Sequence, residues 1–262
     1  MYTRILLNRL TPIAEDILGE EQVGFRQGRS TTDQIFTLRM ILEKYREYNK
    51  DLHQLFVDYR QAYDSIHRSS MWHILEQYNI PKKLIRLIKA CYTNSKCCVK
   101  VGTDKTKYFD IKSGLKQGCM LSPILFNLTL EIAIRLMRGI QQGAEVDNSK
   151  INTLAYADDV VLLSETEAGL EELNTSFIDM GRRVGLECNE TKTKKMLMSR
   201  HRRIDGHTRI GDLNIENVQT FKYLGSTIDS DNSMDAEVSE RIGNANRCAV
   251  ALHKVLTRNE IS

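Results

Sequence analysis

The amino-acid sequence predicts an α+β protein. Two observations carry that prediction. Segments with apolar residues at helical spacing alternate with short apolar runs of strand length. The 262 residues hold only three prolines, and no internal repeat or low-complexity linker divides them, so few breaks are forced. That length suits one large domain or a compact two-lobed one. At 41% hydrophobic and 27% charged residues the chain can bury a core, which excludes disorder.

The elements follow in order. Ile35, Leu38, Ile41, Leu42 and Tyr45 predict a helix over Thr32 to Tyr48, with Thr31 or Thr32 as its cap. The Gly-punctuated loop before it, "GFRQGRST", carries Arg26 and Arg29. These are either solvated charges or phosphate contacts, since a guanidinium suits phosphate geometry. "LHQLFVDYRQAYDSI" begins as a strand, and Asp58 ends its apolar run. Met71–Tyr78 and Lys82–Tyr92 read as helices, the second with Lys82, Lys83, Arg86 and Lys89 on a solvated face. Cys97–Val101 and Lys107–Ile111 form a hairpin around "GTDK". After "SGLKQG", Ser122 caps a helix with Pro123 at its first position and Leu125, Leu128, Ile132 and Leu136 inward. Glu167–Val184 is an amphipathic helix closed at Gly185. Met196–Met198 and Phe221–Leu224 are strands, and Asp235–Leu256 is a final helix.

Composition narrows the function classes. A net charge of +3 leaves any nucleic-acid argument to local clusters. Six cysteines without CxxC spacing predict reduced thiols in an intracellular compartment rather than a zinc site. The longest uncharged stretch, Gln117 to Leu130, is too short to span a bilayer, and the charged N-terminus has no signal-peptide core, so no membrane partner is expected.

Chemistry is signalled at "TLAYADDVVLLS", Thr153 to Ser164. Asp158 and Asp159 stand side by side between two apolar runs, a pattern that reads as strand, tight turn, strand. Adjacent carboxylates repel, more so when desolvated. Either the turn is simply exposed, or a divalent cation offsets the charge. Mg²⁺ takes one or two carboxylates plus substrate phosphates. Asp58, at a strand end, is the candidate third acid, and Asp64 follows it after Tyr63.

Six segments in order, "EEQVGFRQGRSTTDQIF", "LFVDYRQAYDSI", "SGLKQGCMLSPILFNLTLE", "LAYADDVVLLS", "GLECNETKTKKML" and "FKYLGS", resemble the successive blocks of reverse transcriptases. The type is that of retrotransposons without long terminal repeats, related to group II intron enzymes. The resemblance runs from about Leu6 to at least Gly225. It implies a polymerase right hand whose palm is an antiparallel sheet backed by helices, with partial fingers and only the start of a thumb. The implied parse is 1–57 partial fingers, 58–66 and 113–200 mainly palm, 67–112 a fingers/palm insertion, 201–228 the primer-grip region and 229–262 the start of the thumb.

The resemblance further implies RNA-directed DNA synthesis from dNTPs on an RNA template and a DNA primer. Asp58 and Asp158 then hold two Mg²⁺ ions, or Mn²⁺, and Asp159 assists more loosely. Tyr63 matches the ring that excludes a 2′-hydroxyl, and Asp64 matches a helix-capping position. Gln117 and Gly118 match the block against template and nucleotide, while Arg26 and Arg29 match the fingers near the triphosphate. Lys192, with Lys194 competing, matches the lysine that protonates pyrophosphate, and Tyr223, Leu224 and Gly225 match the primer grip. Such an enzyme works in the nucleus, at the site of DNA integration. The segments flanking these blocks look short for the family, so a truncated or decayed palm that only binds nucleic acid is the alternative. A nucleotide cyclase fits less well, because it needs no template or primer contacts. Oligomeric state is left open.

Overall fold

A six-stranded sheet covered on both faces organises the molecule. The structure, a computed structural model, describes residues 2–147 and 149–256. In chain order, α1 (Tyr2–Ile17) and α2 (Thr31–Glu47) precede β1 (Leu52–Val57), and α3 (Ala62–Ser65), α4 (Arg68–Gln77) and α5 (Lys82–Ala90) follow it. Four short strands come next: β2 (Lys96–Cys97), β3 (Lys100–Val101), β4 (Asp104–Lys105) and β5 (Phe109–Asp110). After α6 (Ser122–Arg138), β6 (Ala144–Val146) pairs with β7 (Ser149–Ile151), and β8 (Thr153–Tyr156) turns directly into β9 (Asp159–Ser164). The chain then runs through α7 (Glu167–Arg183), β10 (Lys194–Met198), β11 (His207–Ile210), β12 (Leu213–Asn217), β13 (Thr220–Tyr223), β14 (Ser226–Asp229) and α8 (Asp235–Leu256).

The main sheet has the order β11-β12-β10-β1-β9-β8. All its pairs are antiparallel except β10 with β12. β1 lies inside it with every residue buried, and alternate side chains serve two cores. Leu55 and Val57 join Val160 and Leu162 in the larger core, closed by α1, α4, α5, α6 and α7. Leu52 and Phe56 join Val161, Leu163, Met196 and Met198 in the smaller one, closed by α2 and the β13–β14 hairpin. A strand buried on both faces reads as a continuous apolar run, which is why "LFV" and "VVLL" carry no polar alternation.

Local departures from the sequence expectations have physical causes. Ser30, not Thr31 or Thr32, caps α2: its hydroxyl accepts from Asp33 N while Asp33 accepts from Ser30 N, a reciprocal capping box. Ser122 lies within α6, whose cap position is Leu121, and its hydroxyl donates to Lys116 O at 2.6 Å. Leu136 is exposed rather than inward, because Ala133, Ile134 and Met137 take the buried face. The expected hairpin around "GTDK" splits into two paired pieces, β3 with β4 and β2 with β5. α7 ends at Arg183, one residue before the predicted limit, with Gly185 left-handed beyond it at φ 91°. All six cysteines are free thiols.

Candidate active site

The acids meet at one end of the central strands. β1 and β9 are antiparallel neighbours in a register that pairs Val57 with Val160. Asp58, one step past Val57, therefore falls beside Asp159, one step before Val160. β8 and β9 are joined by Ala157 and Asp158 alone, with Tyr156 paired to Asp159. A two-residue connection between antiparallel strands needs positive φ, and Ala157 supplies it at 54°.

The segment Glu187–Thr193 fixes Asp58 from the other side. Asn189 N donates to Asp58 O at 2.8 Å, Asp58 N donates to the Thr193 hydroxyl at 3.1 Å, and Arg60 N donates to Glu187 O at 2.8 Å. The backbone groups of Asp58 are thus spent, but its Oδ2 is buried with no hydrogen-bond partner among the described residues.

The electrostatics match a crowded anionic site. Burial pushes the Asp158 carboxyl up, a hydrogen bond to its own backbone opposes this, and the charge of Asp58 adds to the rise. Asp159 keeps contact with solvent, yet protein surrounds it on most sides. That burial, then the charges of Asp158 and Asp58, push its carboxyl up to about 6. Among the described residues no group of three or more His, Cys, Asp and Glu side chains forms a ready metal cage. Mg²⁺ does not require one, since it keeps waters and substrate oxygens on part of its shell. An all-oxygen donor set with mutually repelling carboxylates and an orphaned buried Oδ2 fits such an ion.

Aromatic groups ring the acids. Tyr63 stacks on Phe126 with centroids 4.6 Å apart and planes 16° apart, and its buried hydroxyl has no partner among the described residues. Burial, then the charge of Asp158, raise its phenol above the usual range. Tyr223 is buried against Phe56, and burial with the charge of Asp159 raises its phenol likewise. Tyr223, Leu224, Gly225 and Ser226 form the β13–β14 turn, with Leu224 at φ 49° and Gly225 at φ 84°.

The remaining candidates separate. Gln117 is exposed and donates to both carboxylate oxygens of Asp64, at 3.1 and 2.9 Å, so Asp64 orients it. Gly118 sits next to it at φ 77°. Exposed Lys192 lines a cleft of about 630 Å³ with Tyr59, Arg60, Gln61, His67 and Asn189, while Lys194 is bound to Thr191 O and paired with Glu216. Arg26 is turned inward: its side chain is 6% exposed and donates to Glu15, Gly19 O and Gln22 O, so in this arrangement it fastens its own loop. Arg29 pairs with Glu20 and lines a cleft of about 690 Å³ whose wall includes none of the three acids. Lys195, next to Lys194 in the sequence, is buried and paired with Glu167. Arg60, Asn189 and Thr193 stand close to Asp58 without having been singled out; they lay inside the recognised segments, but no charge pattern marked them.

Carboxylates from the ends of adjacent central strands, on an antiparallel sheet backed by helices, define the palm of a nucleic-acid polymerase. The family profile described as Reverse transcriptase (RNA-dependent DNA polymerase) matches residues 1–228, and the chain belongs to that family. Its relatives are proteins of non-LTR retrotransposons. It is 29% identical over 245 residues to the Retrovirus-related Pol polyprotein from type-1 retrotransposable element R2 of Nasonia vitripennis, covering 87% of this chain and 23% of the relative. It is 25% identical over 268 residues to the Probable RNA-directed DNA polymerase from transposon X-element of Drosophila melanogaster, covering 97% and 28%. The chain therefore spans about a quarter of the length of these relatives. Telomerase from Candida tropicalis, in complex with a TWJ fragment of telomeric RNA, shares the fold with a TM-score of 0.58 at 16% identity, over 82% of this chain and 35% of that one. No described helix is long and apolar enough to cross a membrane.

Proposed function

We propose that the chain transfers nucleotidyl groups from dNTPs to the 3′-hydroxyl of a DNA primer on an RNA template. The observation that carries this reading is the meeting of Asp58 with the Asp158–Asp159 turn, three carboxyl groups that repel one another where, among the described residues, no cation offsets them. Asp58 and Asp158 would hold the metal, with Asp159 at the edge. A pair of Mg²⁺ ions bound there, or Mn²⁺ in their place, supplies the positive charge that activates the attacking hydroxyl and neutralises the leaving pyrophosphate.

The chain's own residues do the rest. The Tyr63 ring, braced by Phe126, lies beneath the incoming sugar and excludes a 2′-hydroxyl. Gln117, oriented by Asp64, and Gly118 meet the nucleotide and the template. Lys192, with Arg60 in the same cleft, offsets phosphate charge and delivers a proton to the departing pyrophosphate. The turn of Tyr223, Leu224 and Gly225 holds the primer end. Arg29, exposed on the adjoining loop, is available to a phosphate once its surface pair with Glu20 opens. An intracellular setting, at nuclear DNA where integration occurs, accords with this chemistry and with free thiols.

Primer extension on an RNA template tests the reading. Asp158→Asn is expected to lower Mg²⁺-dependent incorporation roughly a thousandfold, the equivalent of the several kcal/mol of charge stabilisation that a bound ion supplies, with the protein still folded and still binding an RNA–DNA hybrid. Wild-type extension by this variant would remove Asp158 from the metal site. A wild-type chain that binds hybrid but never extends it would leave a nucleic-acid-binding palm without catalysis.

A further inference from the structure

The turn that carries Asp158 is not held by its own strands alone. β8 is the edge of the main sheet, and the segment Glu21–Gly24 lies along its open side. Ala155 N donates to Glu21 O at 2.8 Å and Val23 N to Ala155 O at 3.0 Å. Gln22 then reaches the turn. Its side chain is fully buried, and its carboxamide meets both backbone groups of Ala157. Nε2 donates to Ala157 O at 3.2 Å, while Oε1 accepts from Ala157 N at 2.7 Å and from Gly24 N at 3.0 Å.

Ala157 needs such a hold. It occupies the left-handed region at φ 54°, where glycine is the usual residue, and it precedes Asp158 directly. The approach is close enough that a Cβ on Gly24 would lie 2.3 Å from Ala157 N. The clasp is itself anchored. Arg138 donates to both oxygens of Glu21, at 2.9 and 2.8 Å, Gln34 bridges Glu21 O and Ala155 O, and Asn127 donates to Gly24 O at 2.6 Å.

We propose that Gln22 is a positioning residue for the metal site, its carboxamide locking Ala157 left-handed so that Asp158 is presented next to Asp58. This makes the "EEQVG" segment part of the catalytic turn's support rather than of nucleotide capture. The inference rests on the reading of Asp158 as a metal ligand. Groups that orient metal ligands typically contribute ten- to a hundredfold to metal affinity, so losing the clasp should weaken metal binding by roughly that factor.

The test is direct Mn²⁺ binding to the 262-residue chain, read by electron paramagnetic resonance, beside melting temperature and RNA–DNA hybrid affinity. Gln22→Met keeps the volume and removes all three bonds. It is expected to weaken Mn²⁺ binding about tenfold or more, with hybrid affinity unchanged. Gln22→Asn keeps the amide but is one methylene too short to clasp, and carries the test if the methionine variant does not fold. Adding Ala157→Gly to either variant should return part of the lost affinity, because glycine holds positive φ without cost. A packing role alone predicts no such recovery. Asp158→Asn is the control: if it binds Mn²⁺ like wild type, the metal reading itself fails. If Asp158→Asn loses binding while the folded Gln22 variants keep wild-type Mn²⁺ affinity, the positioning role is overturned.

Discussion

At the scale of single residues, chemistry was legible where a side chain contradicts its surroundings. Two adjacent aspartates inside an apolar run, and one more closing another run, stand out because nothing about burial explains them. Arg26 and Lys195 were not legible in the same way. A sequence shows that a charge exists but not which acid lies across the fold, and both proved to be internally paired. Tyr63 falls between these cases, since a tyrosine in an apolar segment can serve the core or the substrate. Its stack on Phe126 holds the ring, while its hydroxyl finds no partner among the described residues. If the ring excludes a 2′-hydroxyl, Tyr63→Ala should relax the choice between ribo- and deoxyribonucleotides by roughly 10- to 200-fold, the range for one steric group in a pocket. Tyr63→Phe keeps the stacked ring and should leave that choice nearly intact. The ratio of incorporation rates for the two sugars decides. A ratio unmoved by the alanine would return Tyr63 to the core.

At the scale of elements, the β13–β14 hairpin shows a local rule broken. Both central residues of its turn have positive φ, the geometry that favours Asn-Gly, yet the first is Leu224. Leucine in that region is strained, and Leu224 recovers some of the cost by packing partly against the smaller core. Leu224→Asn is therefore expected to change stability little or raise it by up to about 1 kcal/mol, while lowering primer extension if this turn holds the primer end. Chemical denaturation and extension assays on the same preparation separate the two effects. A variant that extends primers like wild type would detach the turn from the primer. Which elements could be read in advance follows the same logic. α2, β1 and the β8–β9 hairpin were legible because their apolar spacing is strong and tertiary packing agrees with it. α1 was not, because charges are scattered along it and Pro12 lies within the helix. β11 and β12 were also missed, since only Ile210, Ile215 and Asn217 in them are buried and the rest of each strand shows little apolar periodicity. They join the sheet through the parallel pairing of β12 with β10, a partnership between distant segments that local periodicity does not encode.

At the scale of the whole molecule, the site and the stability of the fold oppose each other. The surrounding structure gathers three carboxyl groups that the unfolded chain would separate. Elsewhere the balance runs the other way, as where the bond from Lys195 holds the Glu167 carboxyl below its usual value. Asp159 rises from its ordinary 3.8 to about 6 in the folded protein. Between those values the folded state binds the proton that the unfolded state has released, so stability falls as pH rises through the window. Below it both states are protonated and the group contributes nothing; above it the repulsion acts in full. That rise corresponds to about 3 kcal/mol at full weight, and solvent contact at Asp159 reduces this to about 1 kcal/mol. Asp159→Asn removes the charge at every pH. Without metal, the variant should match the wild type near pH 4 and be more stable by about 1 kcal/mol near pH 7.5. Mg²⁺ should narrow or reverse that gap, because an ion bound only to the folded wild type stabilises it in proportion to its occupancy. Urea denaturation of both proteins at the two pH values, in chelator and in Mg²⁺, measures all four differences. A gap that ignores both pH and Mg²⁺ would mean that Asp159 neither feels its neighbours nor takes part in holding a cation.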